Sequence, residues 1–313
     1  MKVFVTGVAG QLGHDVMNEL AGRGYEGIGS DIKEVYSGLC DGTTAENMPY
    51  MQMDITDADS VGNVLKSVTP DVVIHCAAWT AVDLAEDEDK LEKVHRVNAD
   101  GTRNIAEVCR ELGCKMVYLS TDYVFDGTGT EPWQPDCRNY SPLNVYGRTK
   151  LEGELAVSEL LDRYFIVRIA WVFGKNGKNF IRTMLNLGKT HDRLTVVNDQ
   201  IGTPTYTYDL ARLLVDMIET EKYGYYHATN EGGYISWYDF AVEIFRQAAE
   251  LGYPEYDKDH LTVVPVTTEE YGLSKAARPF NSRLDKSKLA ENGFIPLPTW
   301  QDALARYLKE IGL

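Results

Sequence analysis

Positive charge is in short supply. The 313-residue chain sets 31 Lys and Arg against 47 Asp and Glu, a formal net charge of −16. Affinity for nucleic acid comes mainly from clustered Lys and Arg on phosphates. No long basic run offsets the deficit, so no nucleic-acid partner is expected. Long hydrophobic runs are missing as well. No stretch approaches the ~18 apolar residues of a membrane span, and the first apolar stretch, Val3–Val5, meets Gly7 almost at once, unlike a signal peptide. No membrane partner is expected either. Cysteine is sparse and odd in number: Cys40, Cys76, Cys109, Cys114 and Cys137, with no Cys-x-x-Cys pair. In a chain this long that is the pattern of reduced thiols, not of a disulfide framework. Together these absences predict a cytoplasmic protein. Internal repeats and low-complexity linkers are lacking too.

What remains is an ordinary globular composition, 44% hydrophobic and 25% charged, with length for about two lobes. Short apolar runs read as buried parallel strands: Lys2–Thr6, Glu26–Ser30, Tyr50–Met53, Asp71–His75, Lys115–Ser120 and Phe165–Ile169. Helical stripes lie between them, such as Leu12/Val16/Leu20 and Leu91/Val94/Asn98/Ile105/Val108/Leu112. Strict alternation of strand and helix predicts an α/β fold, a doubly wound parallel sheet of Rossmann type. After about residue 172 the rhythm breaks into a smaller mixed C-terminal lobe. Residues 1–172 are therefore expected to form a dinucleotide-binding domain, rejoined by part of 201–228. Residues 173–313 form the substrate lobe, discontinuous in sequence. Two late helices are marked by their starts, a capping box at Ser236–Asp239 and another start at Thr299–Asp302.

The turn Thr6-Gly7-Val8-Ala9-Gly10-Gln11-Leu12-Gly13 follows the first strand and opens the first helix. Small residues there let the chain turn sharply, let a pyrophosphate touch backbone, and aim a helix N-terminus at its charge. The bland alternative is a turn that serves only the fold. Asp31 ends the second strand, 18 residues beyond Gly13. A carboxylate there can accept from an adenosine ribose 2′-OH and would repel a 2′-phosphate; it can also simply start a turn. Asp54-Ile55, after the third strand, is placed to hold the adenine edge by the same topology.

Two Tyr-x-x-x-Lys spacings occur, Tyr146–Lys150 and Tyr271–Lys275. Tyr146 begins a helical segment 25 residues past Ser120-Thr121, where a strand ends at the ligand-binding edge of the sheet. Tyr271 has no strand before it and is set aside. A tyrosine with a pKa of about 10 is a poor acid or base at neutral pH unless its anion is favoured, and a nearby ammonium favours it. Thr121 can then hold a carbonyl while Tyr146 protonates its oxygen, which suits hydride chemistry at carbon.

These elements together resemble the extended short-chain dehydrogenase/reductase superfamily. Longer blocks narrow the match: His75–Asp83, Ser120–Gly127, Pro142–Gly147, Asn198–Thr205 and Arg278–Leu284 resemble the dTDP-4-dehydrorhamnose reductases, over both lobes. That resemblance implies reduction of the C4 ketone of dTDP-4-dehydro-L-rhamnose to dTDP-L-rhamnose, a surface-polysaccharide precursor, with NADPH or NADH as cofactor. It makes Tyr146 the proton donor, Lys150 the support of Tyr146 and of the nicotinamide ribose, and Thr121 the group that orients the ketone. Gly7, Gly10, Gln11, Leu12, Gly13, Asp31, Asp54, Ile55, Ala77 and Ala78 would line the cofactor. Thr80, Val82, Asp122 and Trp171 would border the substrate. Arg278 and Arg283 would pair with its diphosphate, or else anchor the C-terminal segment. Asn98 matches an active-site Asn of related enzymes or is a packing residue.

The family commonly accepts NADPH, whereas Asp31 leans toward NADH. Some relatives bind Mg²⁺ through glutamates at a dimer interface; those positions find no match here, so Mg²⁺ stays unassigned and a homodimer stays open. The acid-rich stretch Asp83–Glu92 reads as a solvated helix face. The nearest rivals are nucleotide-sugar epimerases and 4,6-dehydratases on the same scaffold. Dehydratases follow the active-site Thr with Asp-Glu, and this chain has Thr121-Asp122-Tyr123. A non-catalytic subunit resembling the regulatory β subunit of methionine adenosyltransferase is the alternative of a different class.

Overall fold

A computed structural model describes all residues, 1–313. Six strands form in chain order: β1 (Lys2–Thr6), β2 (Glu26–Asp31), β3 (Tyr50–Gln52), β4 (Val72–His75), β5 (Lys115–Thr121) and β6 (Tyr164–Ile169). With the later strand Gly224–His227 they make one seven-stranded sheet, ordered 3-2-1-4-5-6 with Gly224–His227 outside β6. Every pairing in it is parallel. Strand bounds shift from the sequence expectation by a residue or so, and β2 reaches Asp31.

Both faces of this sheet are covered, as a parallel sheet requires. Val3, Val5, Ile74, Val117, Phe165 and Val167 point to one face, under α1 (Gln11–Gly22) and the helix Thr207–Ile218. Phe4, Val73, Met116, Tyr118 and Ile166 point to the other. There α2 (Ala58–Val68), the helix Gly101–Leu112 and α5 (Val145–Leu160) cover them, α3 being Leu91–His95 and α4 Gly101–Leu112. A π-helical turn, Arg96–Asp100, joins α3 to α4.

The second lobe has its own core of Phe173, Ile181, Leu194, Phe240, Ile244, Trp300, Leu304 and Tyr307. The capping box at Ser236 and Asp239 opens the helix Trp237–Glu250, and Thr299 accepts from the Asp302 N–H to open Trp300–Glu310. Leu251, at the C-terminal end of the first of these helices, is exposed. Its core strands Arg193–Val197 and Thr262–Val266 pair in parallel.

The stretch Asp83–Glu92 departs from the expected solvated helix face. It folds as a short turn, Leu84–Glu86, followed by α3. Asp83 accepts two bonds from Arg278, and Glu86 accepts from the Val145 N–H at the start of α5, 2.8 Å away. These acids anchor neighbouring segments.

Leu214, fully buried between the helix Thr207–Ile218 and α1, tests whether that late helix belongs to the first core. Leu214→Ala is expected to lower unfolding free energy by about 2–5 kcal/mol. An unchanged chemical-denaturation midpoint would exclude the helix from the cooperative core.

Candidate active site

The carboxyl ends of the parallel strands open on a cleft of about 1340 Å³, at the switch point between β1 and β4 where ligands bind open α/β sheets. Gly7 makes this point possible. Its φ is +69°, and a Cβ on it would lie 2.6 Å from the Ala77 nitrogen, so the first turn rests directly on the chain leaving β4. Gly13 is equally forced, since a Cβ there would lie 2.4 Å from the Gly7 carbonyl oxygen. Gly10 differs. Its nearest obstacle would be the Gly7 oxygen at 3.2 Å, and it faces the cleft as the N-cap of α1, with no side-chain cap on the helix. Bare N–H groups, a helix dipole and space where a Cβ would intrude fit a dinucleotide pyrophosphate.

The neighbouring walls carry the remaining cofactor candidates. Gln11, Leu12, Asp31, Asp54, Ile55, Ala77 and Ala78 all line the cleft. Asp31 accepts from the Ala9 N–H at 3.1 Å and from the Ile32 N–H at 2.8 Å. Its charge is thereby fixed at the rim where β2 ends. Asp54 accepts from the Thr56 N–H and hydroxyl at 2.9 and 2.8 Å, so its carboxylate braces its own turn and only its edge faces the cleft.

Tyr146 and Lys150 come to the same cleft as Thr121 because α5 starts against the end of β5. Asn144 caps that helix by accepting from the Gly147 N–H at 2.7 Å. A Cβ on Gly147 would lie 2.3 Å from the Tyr123 oxygen, so a glycine is needed for the approach. Thr121 donates to Asp122 Oδ1 at 2.9 Å and accepts from the Tyr123 N–H at 3.2 Å. Burial raises the Tyr146 phenol, Asp122 raises it further, and the Thr121 hydroxyl counters them. Burial pulls the Lys150 ammonium down to about 7 against the opposing influence of Glu154 and Cys76. Burial lifts Asp122 to about 6, against its hydrogen bonds with Ser282 and Thr121. Its Oδ2 is buried without a partner.

Thr80, Val82 and Trp171 line the cleft as well. Trp171 holds a φ of +52°, rare for a bulky residue. It stacks on Trp237 with ring centroids 3.7 Å apart and lies so close to Gly202 that a Cβ there would sit 2.9 Å from its indole. Trp237 itself lines the cleft. Sequence reading gave it no role, since a lone Trp at a helix start carries no spacing signal. Asn176 is a second unforeseen contributor, donating to the Ala9 and Gly10 carbonyls at 2.9 and 3.1 Å and so tying the second lobe to the glycine turn. The Gly/Asn-rich break around it was the available signal.

Two expected contributors stand outside. Arg278 and Arg283 do not line the cleft. Arg278 donates to both Asp83 oxygens, at 3.0 and 2.6 Å, and Arg283 donates to Asn281 Oδ1 at 3.0 Å, which is anchoring. Asn98 is buried in the π-helical turn, where it accepts from the Trp79 N–H at 2.8 Å and donates to the Trp79 carbonyl and the Thr149 hydroxyl. It fixes the loop that carries Thr80. Tyr271 and Lys275 stay away from the cleft, and Lys275 pairs with Asp87. No three His, Cys, Asp or Glu side chains gather as metal ligands, and no helix is long and apolar enough to cross a membrane.

The family model described as the RmlD substrate binding domain matches residues 1–313. The spore coat polysaccharide biosynthesis protein SpsK of Bacillus subtilis is 37% identical over 99% of this chain and 97% of its own length. The dTDP-4-dehydrorhamnose reductase of Escherichia coli is 35% identical over 99% of this chain and 98% of its own. The crystal structure of the dTDP-4-dehydrorhamnose reductase of Bacillus anthracis in complex with NADP superposes with a TM-score of 0.85. It is 39% identical and covers 99% of this chain and 100% of that one.

The two glycines divide fold from ligand. Gly13→Ala is expected to lower the melting temperature and abolish dinucleotide binding. Gly10→Ala is expected to keep the melting temperature and weaken binding on the order of tenfold, as one lost contact of about 1.4 kcal/mol does. Calorimetric titration with both nicotinamide dinucleotides reads the outcome; equal effects of the two substitutions would contradict the division.

Proposed function

The chain belongs to the dTDP-4-dehydrorhamnose reductase family, and from that premise we propose that it reduces the C4 ketone of dTDP-4-dehydro-L-rhamnose to dTDP-L-rhamnose, a precursor of surface polysaccharide. The observation that carries the reading is that Thr121, Tyr146 and Lys150 line one cleft together with Trp171. The cofactor is a reduced nicotinamide dinucleotide, held by the Gly10 cradle, Asp31, the Asp54-Ile55 edge, Ala77 and Ala78. When bound, it supplies the hydride that arrives at C4.

The chain's own groups handle the proton. Tyr146, kept protonated by its raised pKa, donates its phenolic hydrogen to the ketone oxygen as that oxygen gains charge. The Lys150 ammonium offsets the phenolate left behind, and it would also hold the nicotinamide ribose. Thr121, whose hydroxyl donates to Asp122, stands beside the Tyr146 phenol. It would turn that hydrogen to the ketone oxygen once substrate is bound. Thr80, Val82 and Asp122 border the sugar. The Trp171–Trp237 stack covers it and keeps water out. The reading puts the enzyme in the cytoplasm.

Absorbance at the reduced-nicotinamide band, followed with and without dTDP-4-dehydro-L-rhamnose, tests the activity. Substrate-dependent loss with at least one cofactor is expected, and its absence with both refutes the reading. Tyr146→Phe is expected to retain cofactor binding and lose turnover on the order of 100-fold or more.

The Asp31 carboxylate, pinned by two backbone N–H groups, favours a free ribose hydroxyl over a 2′-phosphate, so NADH is the preferred cofactor. Asp31→Ser is expected to raise the ratio of kcat/KM for NADPH over NADH by about tenfold, the worth of one charge repulsion near 1.4 kcal/mol. A wild-type preference for NADPH, or an unmoved ratio, overturns the assignment.

A further inference from the structure

One turn beyond Lys150 on α5 lies a carboxylate that touches neither the cleft nor solvent. Glu154 is fully buried, and so is Arg168 on β6. Arg168 Nε and Nη2 donate to the two Glu154 oxygens, each at 2.8 Å. The rings of Phe125, Tyr140 and Tyr225 surround the guanidinium at 4.9, 5.5 and 4.9 Å from its carbon. A buried ion pair is a weak source of stability, because desolvation offsets most of its attraction. Its position explains it better.

Residues four apart on a helix face the same way, with Cβ atoms about 5–6 Å apart, so Tyr146, Lys150 and Glu154 form one column. Lys150 Nζ lies 4.2 Å from the centre of the Tyr118 ring, whose hydroxyl donates to the Lys150 carbonyl at 3.1 Å. The groups around that ammonium come from several elements: Glu154 on α5, Tyr118 on β5, and His75 and Cys76 at the end of β4, with Tyr146 one turn earlier on the same face of α5. Burial drives the His75 imidazole down to about 3 and the Cys76 thiol up to about 12, and it raises the Tyr118 phenol well above its usual range. All three are neutral near pH 7. Glu154 is the carboxylate among them: Arg168 holds both of its oxygens, and its charge raises the Lys150 ammonium against burial.

We propose that Glu154, held by Arg168, is a positioning residue that keeps the Lys150 ammonium charged and aimed into the cleft. The inference rests on the reading of Tyr146 and Lys150 as the reacting pair and deepens it. Without Glu154 the ammonium loses its proton at lower pH, and the Tyr146 phenolate loses its partner.

Competitive acetylation of the purified chain, with Lys150 followed by peptide mass spectrometry across a pH series, measures this directly and needs no substrate. Glu154→Gln is expected to move the Lys150 labelling curve down by about one pH unit, the usual effect of removing one neighbouring charge. Because a lone buried guanidinium threatens the fold, the double variant E154L/R168M, apolar and of similar volume, is measured beside it with the same expectation. In the substrate-dependent assay the limb on which kcat falls with rising pH moves down by the same amount, and Glu154→Asp restores it in part. A folded variant with a wild-type labelling curve, or with lower activity on an unmoved pH profile, overturns the proposal. Lack of any substrate-dependent oxidation by the wild type refutes the proposed reaction alone, while the labelling curves still decide the role of Glu154.

Discussion

Backbone rests on backbone where Gly7 meets Ala77, and the cleft exists because of that contact. With a Cβ at position 7 only 2.6 Å from the Ala77 nitrogen, no side chain fits between the turn after β1 and the chain leaving β4. Thr6 secures the same junction: its hydroxyl bonds His75 Nδ1 at 2.7 Å and accepts from the Ala77 N–H at 3.2 Å. From that point α1 departs to one face of the sheet while the chain after β4 goes to the other. The space left between them takes a ligand. The second lobe is hung on this turn by Asn176 and by Gln11, which accepts from the Gly174 N–H at 2.8 Å. A shift in the turn would therefore move both walls together.

A second column of constraints runs down α5. Gly147 and Gly153 let the helix press onto the Tyr123 carbonyl and the Tyr118 hydroxyl, where a Cβ would come within 2.3 Å in each case. The close approach brings Tyr146 beside Thr121 and buries Lys150. Burial is what makes these groups useful, since a desolvated ammonium near a desolvated phenol interacts far more strongly than either would in water. It also makes them unstable in their charged forms. The structure answers with one buried carboxylate, Glu154, and binds that carboxylate in turn to Arg168. Each charge in the series is explained by the one above it.

The sheet, the glycine turn and the Thr121/Tyr146/Lys150 wall were legible in sequence because each has a local signature. Apolar runs give strands, forced small residues give the turn, and a helical spacing after a strand end separates Tyr146 from Tyr271. Features made by contact between distant segments were not legible. Trp237 enters the cleft through its stack on Trp171, 66 positions earlier. Arg278 looks like a free phosphate ligand until Asp83 is seen to occupy its fork. The acids of Asp83–Glu92 look like a solvated face until their partners Arg278, Lys275 and the Val145 N–H come round from elsewhere. The role of Glu154 was hidden for the same reason, since its meaning depends on Arg168 fourteen residues on in another element.

The acidic balance acquires a different sense from this geometry. A net charge of −16 opposes the approach of two anionic ligands, a dinucleotide and a sugar nucleotide. Charges beyond a Debye length of about 8 Å at physiological salt are largely screened, however, so the groups at the cleft decide. Its lining holds the bases Lys93, Arg96, Lys150 and Lys178 among the acids Asp31, Asp54, Asp89, Glu92 and Asp122. Two of those acids are engaged in bonds of their own: Asp54 to Thr56 and Asp122 to Thr121. The cations Lys93, Arg96 and Lys178 stand on exposed positions of the rim, where an approaching phosphate meets them first. The rest of the acidic surface then works for selectivity, because an anion that strays from the rim finds little to hold it elsewhere.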